Sequence, residues 1–179
     1  MSDHYPARQL LLLRHAKSSL AEGGQRDIGR PLNQRGMEAA AAMGGEINRL
    51  GLLPGKILCS PARRAQETLR IVLQQFAVAP AFSTNDDIYD FGDGSKLLDV
   101  IRTEGGKAER LMLVGHNPSI EGLAKRLVGS GGAALRQNLA TKFPTAALAV
   151  IAFAPGAWVT TGWSGGELTH FIRPRDLPS

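Results

Sequence analysis

Residues Leu10, Leu11, Leu12 and Leu13 are followed at once by Arg14, His15, Ala16 and Lys17. Four consecutive leucines offer no polar face to water, so the run reads as a strand buried on both sides. Strands of that kind belong to open α/β sheets, which present their functional groups at the carboxyl ends. This strand therefore delivers a cation and an imidazole side by side to the rim of a sheet. The pair suits an anionic substrate and a nitrogen nucleophile.

The rest of the chain alternates strand and helix. Asn33 can cap a helix from about Gln34 to Leu50, closed by Gly51 and Pro54. Lys56 to Ser60 reads as a second strand. Ser60 and Pro61 then open a helix to about Phe76, with Ser as N-cap and Pro at the first helical position. Its apolar face is Ala65, Leu69, Val72, Leu73 and Phe76. A short strand falls within Ala81–Tyr89, a loop at Asp90–Gly94, and a short helix capped by Ser95 runs to about Thr103. Arg110–Gly115 is another apolar strand with His116 at its end, and Asn117-Pro118 begins a helix to about Val128. Gly129–Gly132 reads as a flexible turn, 133–142 as a polar, helical connection, and Ala146–Phe153 and Glu167–Ile172 as two last strands. The order predicts a three-layer α/β/α domain with a mostly parallel sheet flanked by helices. No linker or repeat divides residues 1–179.

Composition removes several function classes. A chain that is 43% hydrophobic and 21% charged is an ordinary globular one, which argues against disorder. The net charge of +5 comes without a dense Lys/Arg block or interleaved aromatics, so no nucleic-acid partner is expected. A basic pocket for a phosphorylated substrate accounts for part of it. The one cysteine, Cys59, lies in an apolar run and reads as a small buried hydrophobe. Together with the short N-terminal apolar run and the absence of a bilayer-length stretch, this gives the expectation of a cytoplasmic protein with no membrane partner. No histidines, cysteines or carboxylates show metal-ligand spacing, so neither metal nor cofactor is expected. His4 and His170 are assigned no role, and the glycines at 129–132 precede no Lys-Ser/Thr pair, so they form no Walker loop.

Three candidate sites fall at strand ends: Arg14-His15, Ser60 with Arg63-Arg64, and Gly115-His116. In a parallel sheet these ends share one edge. Guanidinium groups match phosphate oxygens bidentately, and helix starts add backbone N–H groups. Each site alone has a bland alternative: a rim residue, a solvated helix charge, a turn histidine. Their conjunction is what points to an oxyanion pocket.

The motifs Leu13-Arg14-His15-Ala16-Lys17-Ser18, Arg30-Pro31-Leu32-Asn33-Gln34-Arg35-Gly36, Ser60-Pro61-Ala62-Arg63-Arg64-Ala65-Gln66-Glu67-Thr68 and Val114-Gly115-His116-Asn117-Pro118 resemble those of the histidine phosphatase superfamily, with its phosphoglycerate-mutase-like fold. Ala16-Lys17 in place of Gly-Glu, and the short chain, resemble the branch of SixA-type phosphohistidine phosphatases. The resemblance runs from about Gln9 to Glu121. It implies one histidine phosphatase domain in which His15 is the nucleophile that becomes phosphorylated. Arg14 and Arg64, rather than the neighbouring Arg63, would hold the phosphoryl group, and His116 would contact its oxygens. It implies hydrolysis in two steps through a phosphohistidine enzyme.

The general acid departs from the superfamily pattern. Where many members place a glutamate, this chain reads Asp86-Asp87-Ile88-Tyr89-Asp90-Phe91-Gly92. Asp90 is the nearest substitute; the alternative is a turn contact. A weak or absent acid favours phosphohistidine, whose imidazole leaves more readily than an alkoxide. The expected partner is thus a phosphorylated signalling protein. The alternatives are a small phosphate ester such as a sugar phosphate or nucleotide, and a non-catalytic phosphate-binding module. The hydroxyls of Ser18 and Ser19 either meet phosphate or cap their loop. Oligomeric state is left open.

Overall fold

The computed structural model describes residues 7–178; His4 lies outside them. Seven strands form one sheet: β1 (Arg8–Arg14), β2 (Lys56–Cys59), β3 (Ala81–Thr84), β4 (Arg110–Gly115), β5 (Val128–Gly131), β6 (Leu148–Phe153) and β7 (Gly166–Ile172). Their order is β3-β2-β4-β1-β6-β7-β5. All neighbours run parallel except at β6, which is antiparallel to both β1 and β7. The expected mostly parallel sheet is therefore present. The reversal at β6 has a local cause. The chain enters β6 beside the end of β1, where Ala146 N donates to the carbonyls of Arg14 and His15 at 3.1 Å, so it must run back along β1.

The leucines of β1 are fully buried and divide between two cores. Leu10 and Leu12 face one layer with Leu58, Leu111, Leu113 and Ile151. Leu11 and Leu13 face the other with Ile57, Met112, Val114 and Val150. This is the period-two alternation of a strand between two helix layers. One layer consists of α1 (Gln34–Arg49) and α2 (Arg63–Leu73), which bury Met43, Ile47, Leu69 and Val72. The other holds α3 (Ser95–Glu104), α4 (Ser119–Leu127) and α5 (Ala133–Thr141), which bury Leu97, Ile101, Leu123 and Leu139. Burying each such side chain stabilises the fold by about 1.5–3 kcal/mol.

Several local expectations need correction. Asn33 caps α1 as read, its Oδ1 accepting from Gly36 N at 2.9 Å. Ser60 does not cap α2: that helix starts at Arg63, with Ala62 in the cap position and no side-chain cap bond. Ser95 is the first residue of α3 rather than its cap, which is Gly94 at φ 93°. The glycines after α4 are not a flexible turn. Val128–Gly131 is an edge strand on β7, and a Cβ at Gly129 would stand 2.0 Å from Ser164 O. Glycine there permits close backbone approach, which a sequence shares with a turn. Among the described residues no helix is long and apolar enough to cross a membrane.

Candidate active site

The carboxyl ends of β1, β2 and β4 are neighbours in the sheet, which brings Arg14-His15, Ser60 and His116 to one rim. His15 N donates to Gly115 O at 3.0 Å, and Ser60 N to Val114 O at 3.0 Å, locking the three strand ends together. The His15 and His116 rings lie 5.1 Å apart, centroid to centroid.

The proton on His15 is placed by its neighbours. Nδ1 lies 2.7 Å from the carbonyl of Ala16, which can only accept, so Nδ1 carries the hydrogen. Nε2 then holds the lone pair, and Arg64 Nε donates to it at 3.3 Å. Burial lowers the His15 pKa to about 4, helped by the charges of Arg64, Arg14 and Arg30 and opposed by the Ala16 carbonyl. Burial likewise lowers His116 to about 3, with His15, Arg64 and Arg14 adding to the effect and Asp27 opposing it. Both imidazoles are neutral near pH 7.

Around these rings, buried polar atoms are left without a protein partner. Arg14 donates through Nη1 to Phe143 O at 2.9 Å, but among the described residues its Nε has no acceptor. His116 Nε2 lies 2.7 Å from Ser60 Oγ, while its Nδ1 has no partner. Such groups cost about 1–3 kcal/mol when left unmet. Here they belong to the two flanking residues that an anion would touch. Burial lowers the Arg14 pKa as well, with Glu121 opposing and Arg64 adding to it. Arg64 is 3% exposed, whereas the Arg63 side chain is 56% exposed and pairs with Glu67 at 2.7 Å. Of the two adjacent arginines, Arg64 is the one brought to the pocket.

A family model described as histidine phosphatase superfamily (branch 1) matches residues 10–92. An uncharacterized protein of Mycobacterium leprae is 34% identical over 167 residues, covering 91% of this chain and 100% of that one. The chain belongs to the histidine phosphatase superfamily. A structure from Nakamurella multipartitia, provisionally named phosphohistidine phosphatase SixA, is 28% identical with a TM-score of 0.80, covering 96% of this chain and 99% of that one. Another with the same provisional name, from Agrobacterium tumefaciens, is 29% identical with a TM-score of 0.74 over 93% and 99% of the chains. The protein histidine phosphatase SixA complexed with tungstate shares the fold at 19% identity and a TM-score of 0.72, over 94% and 98%.

Within this histidine phosphatase superfamily member, motif residues that carried no assigned role turn out to hold the pocket together. Thr68 Oγ1 accepts from Ala16 N at 3.0 Å and donates to Arg64 O at 2.6 Å, fastening α2 to the residue after His15. Glu67 accepts from Leu32 N at 2.8 Å, and Gln66 Nε2 donates to Ser60 O at 2.7 Å. Gly36 presses α1 against the loop that follows His15: a Cβ there would stand 2.0 Å from Lys17 O. Ser18 and Ser19 serve their loop, through Ser18 Oγ and Ser19 O, which accept from Arg30 at 2.8 and 2.9 Å.

Sequence reading missed Asp27 altogether. Its Oδ2 accepts from Arg64 Nη2 at 3.0 Å and from the Tyr89 hydroxyl at 2.6 Å, and its Oδ1 from Arg30 Nη1 at 2.9 Å. Its backbone carbonyl accepts from Arg64 Nη1 at 2.8 Å. The Tyr89 hydroxyl, followed by the two arginines, holds this carboxyl far below the usual carboxylate range. The available signal was an acidic residue three before Arg30 in a loop returning to the pocket. Asp90 turns its carboxylate to its own loop, accepting from Gly92 N at 3.1 Å. Tyr89 meets the His116 ring edge-on and Phe91 lies tilted against it, with centroids 5.4 and 5.3 Å away, forming an aromatic wall. Cys59 is fully buried, its thiol pushed up to about 12 by that burial.

Proposed function

We propose that this chain is a phosphatase that works through a phosphorylated His15 and acts on phosphohistidine in a protein. The observation that carries this reading is the tautomer of His15. Its Nδ1–H is committed to the Ala16 carbonyl, and its Nε2 lone pair lies beside Arg64. Phosphate binding alone needs only cations; an oriented neutral imidazole is what nucleophilic attack adds.

In the first step Nε2 of His15 attacks phosphorus, and the bond from phosphorus to the substrate nitrogen breaks. That nitrogen keeps the electron pair; the substrate ring enters protonated on its other nitrogen and so leaves as neutral imidazole without taking a proton from the enzyme. Arg64 and Arg14 Nε face the phosphoryl oxygens and stabilise their charge, which is the main demand of phosphoryl transfer. His116 Nε2 lies 2.7 Å from Ser60 Oγ; with Nε2 accepting from that hydroxyl, the proton sits on Nδ1 and donates to the phosphoryl group. In the second step water attacks, the bond from phosphorus to Nε2 breaks, and orthophosphate leaves. One sheet carries all seven strands, which supports treating the chain as one catalytic domain.

The phosphohistidine preference rests on the carboxylates. Asp27 is held ionised by three donors and has no proton to give, while Asp90 faces Gly92. A leaving group that tolerates weak acid catalysis fits this pocket. Intact mass after a rapid quench with an aryl phosphate should show one added phosphoryl group, absent in His15→Ala. Turnover per KM on a phosphohistidine peptide should exceed that on an alkyl phosphate by about 10²-fold or more, the size of a general-acid contribution. Comparable values, together with a large loss in Asp90→Asn, would favour a phosphomonoesterase with Asp90 as acid. Full activity in His15→Ala would refute the nucleophile.

A further inference from the structure

A second concave surface lies beside the pocket. A groove of about 460 Å³ opens between the first turn of α1, the end of α5 and the C-terminal segment. Four cations line it: Arg35, Lys142, Arg173 and Arg175. Arg173 is engaged by Asp176 at 2.7 Å. Arg35, Lys142 and Arg175 are exposed and form no ion pair among the described residues. Among the described residues no carboxylate lines the groove.

Both walls are tied to the catalytic loop. Arg35 precedes Gly36, the residue packed on Lys17 O. Lys142 and Pro144 flank Phe143, whose carbonyl receives the Arg14 guanidinium at 2.9 Å. Lys17, two residues from His15, is itself exposed. A cationic face thus borders the phosphoryl pocket on the α1 side; among the described residues Asp176 offsets it at Arg173 and leaves Arg35, Lys142 and Arg175 without an ion pair.

We propose that this groove is a docking site for an acidic peptide segment flanking the phosphorylated residue of a protein substrate. The inference rests on the phosphohistidine reading for its substrate, not for its binding. A segment bearing several Asp or Glu side chains would pair with Arg35, Lys142 and Arg175 while its phosphoryl group enters beside His15. Charges placed around an interface in this way govern encounter and specificity, and they weaken with salt.

The test uses two synthetic phosphohistidine peptides, one flanked by Asp and Glu, the other by Ser and Gly, with para-nitrophenyl phosphate as a small control. The acidic peptide should show about tenfold higher kcat/KM at low ionic strength, with the advantage lost as salt rises past the screening range. Lys142→Glu combined with Arg175→Glu should erase that preference and leave turnover of para-nitrophenyl phosphate unchanged. A fluorescent, unphosphorylated acidic peptide should bind the wild-type protein by anisotropy and bind the double variant at least about tenfold more weakly. Equal kcat/KM for the two peptides, or a preference or affinity that survives the double variant, would overturn the proposal. Displacement of the peptide by lower concentrations of an RNA oligonucleotide would overturn it in favour of nucleic acid. Absence of turnover on both peptides counts against the phosphohistidine reading alone, and the anisotropy result then decides the groove.

Discussion

The Asp27 carboxylate meets the buried Arg64 guanidinium at 3.0 Å, and the backbone carbonyl of Asp27 takes a second hydrogen of the same guanidinium at 2.8 Å. One residue thus fixes two of the arginine's nitrogens while a third, Nε, faces His15. Asp27→Ala removes the side-chain half of that grip and leaves the backbone half. Because the Asp27 side chain is 47% exposed, the loss is set at the low end for a charge-assisted bond. The expected result is about a tenfold drop in kcat on an aryl phosphate with KM little changed. A purely structural role would lower the melting temperature and leave kcat per folded molecule intact.

The adjacent arginines should separate cleanly. Arg64→Ala removes a buried cation beside His15, the proposed nucleophile, and should cost about 10²–10³ in kcat/KM. Arg63→Ala breaks an exposed ion pair with Glu67 and should stay within about twofold of wild type. Steady-state kinetics on one substrate checks both.

Acidity should act on stability at a higher pH than on activity. His15 needs to be unprotonated, so the acid limb of kcat/KM should fall only as pH drops through about 4. For stability, the folded pKa values of about 4 and about 3 lie below the unfolded value near 6.5. The unfolded chain therefore binds more protons between those limits, and stability is lost as pH falls from about 6.5 toward 4. For His15 alone the loss is on the order of 3 kcal/mol. Denaturant titrations at pH 7 and pH 5 would show it as a lowered midpoint at pH 5, and His116→Gln should reduce the difference while leaving the His15 share.

Packing between α1 and the catalytic loop leaves no space for a methyl group at Gly36. Gly36→Ala should destabilise the protein by about 1–3 kcal/mol and lower kcat, because the displaced backbone at Lys17 lies two residues from His15. Thermal unfolding and kinetics on the same preparation would reveal both effects. An unchanged melting temperature would contradict the close approach.

Much of this architecture was legible because the signals were strong where packing is simple. The leucines of β1 and the apolar run of β4 leave a buried strand as the simplest solution, and both strands lie where the pattern put them. Arg14, His15, Arg64 and His116 were legible as a set because each closes or follows such a strand. What escaped depends on contacts between distant segments. Asp27 sits in a polar loop whose composition fits any turn, and only the folded chain shows it reaching Arg64 and Tyr89. Ser60 looks like a helix cap by its neighbours, yet its hydroxyl is drawn to His116, 56 residues away. The strand Val128–Gly131 was read as a turn because glycine needed for close approach and glycine needed for bending are the same residue type.

The segment from Phe143 to Ala147 completes β1 from far along the chain: Arg14 N donates to Ala147 O, and Phe143 O receives the Arg14 side chain. During synthesis, His15, Arg64 and His116 are all made well before that segment exists. A nascent chain ending at α4 has its most apolar strand as an open sheet edge, with Arg14 lacking its anchor. Residues 8–127 alone leave β1 with one unpaired edge, which β6 covers by pairing along its length. The Arg14 side of the pocket is thereby tied to the pairing of β6 with β1.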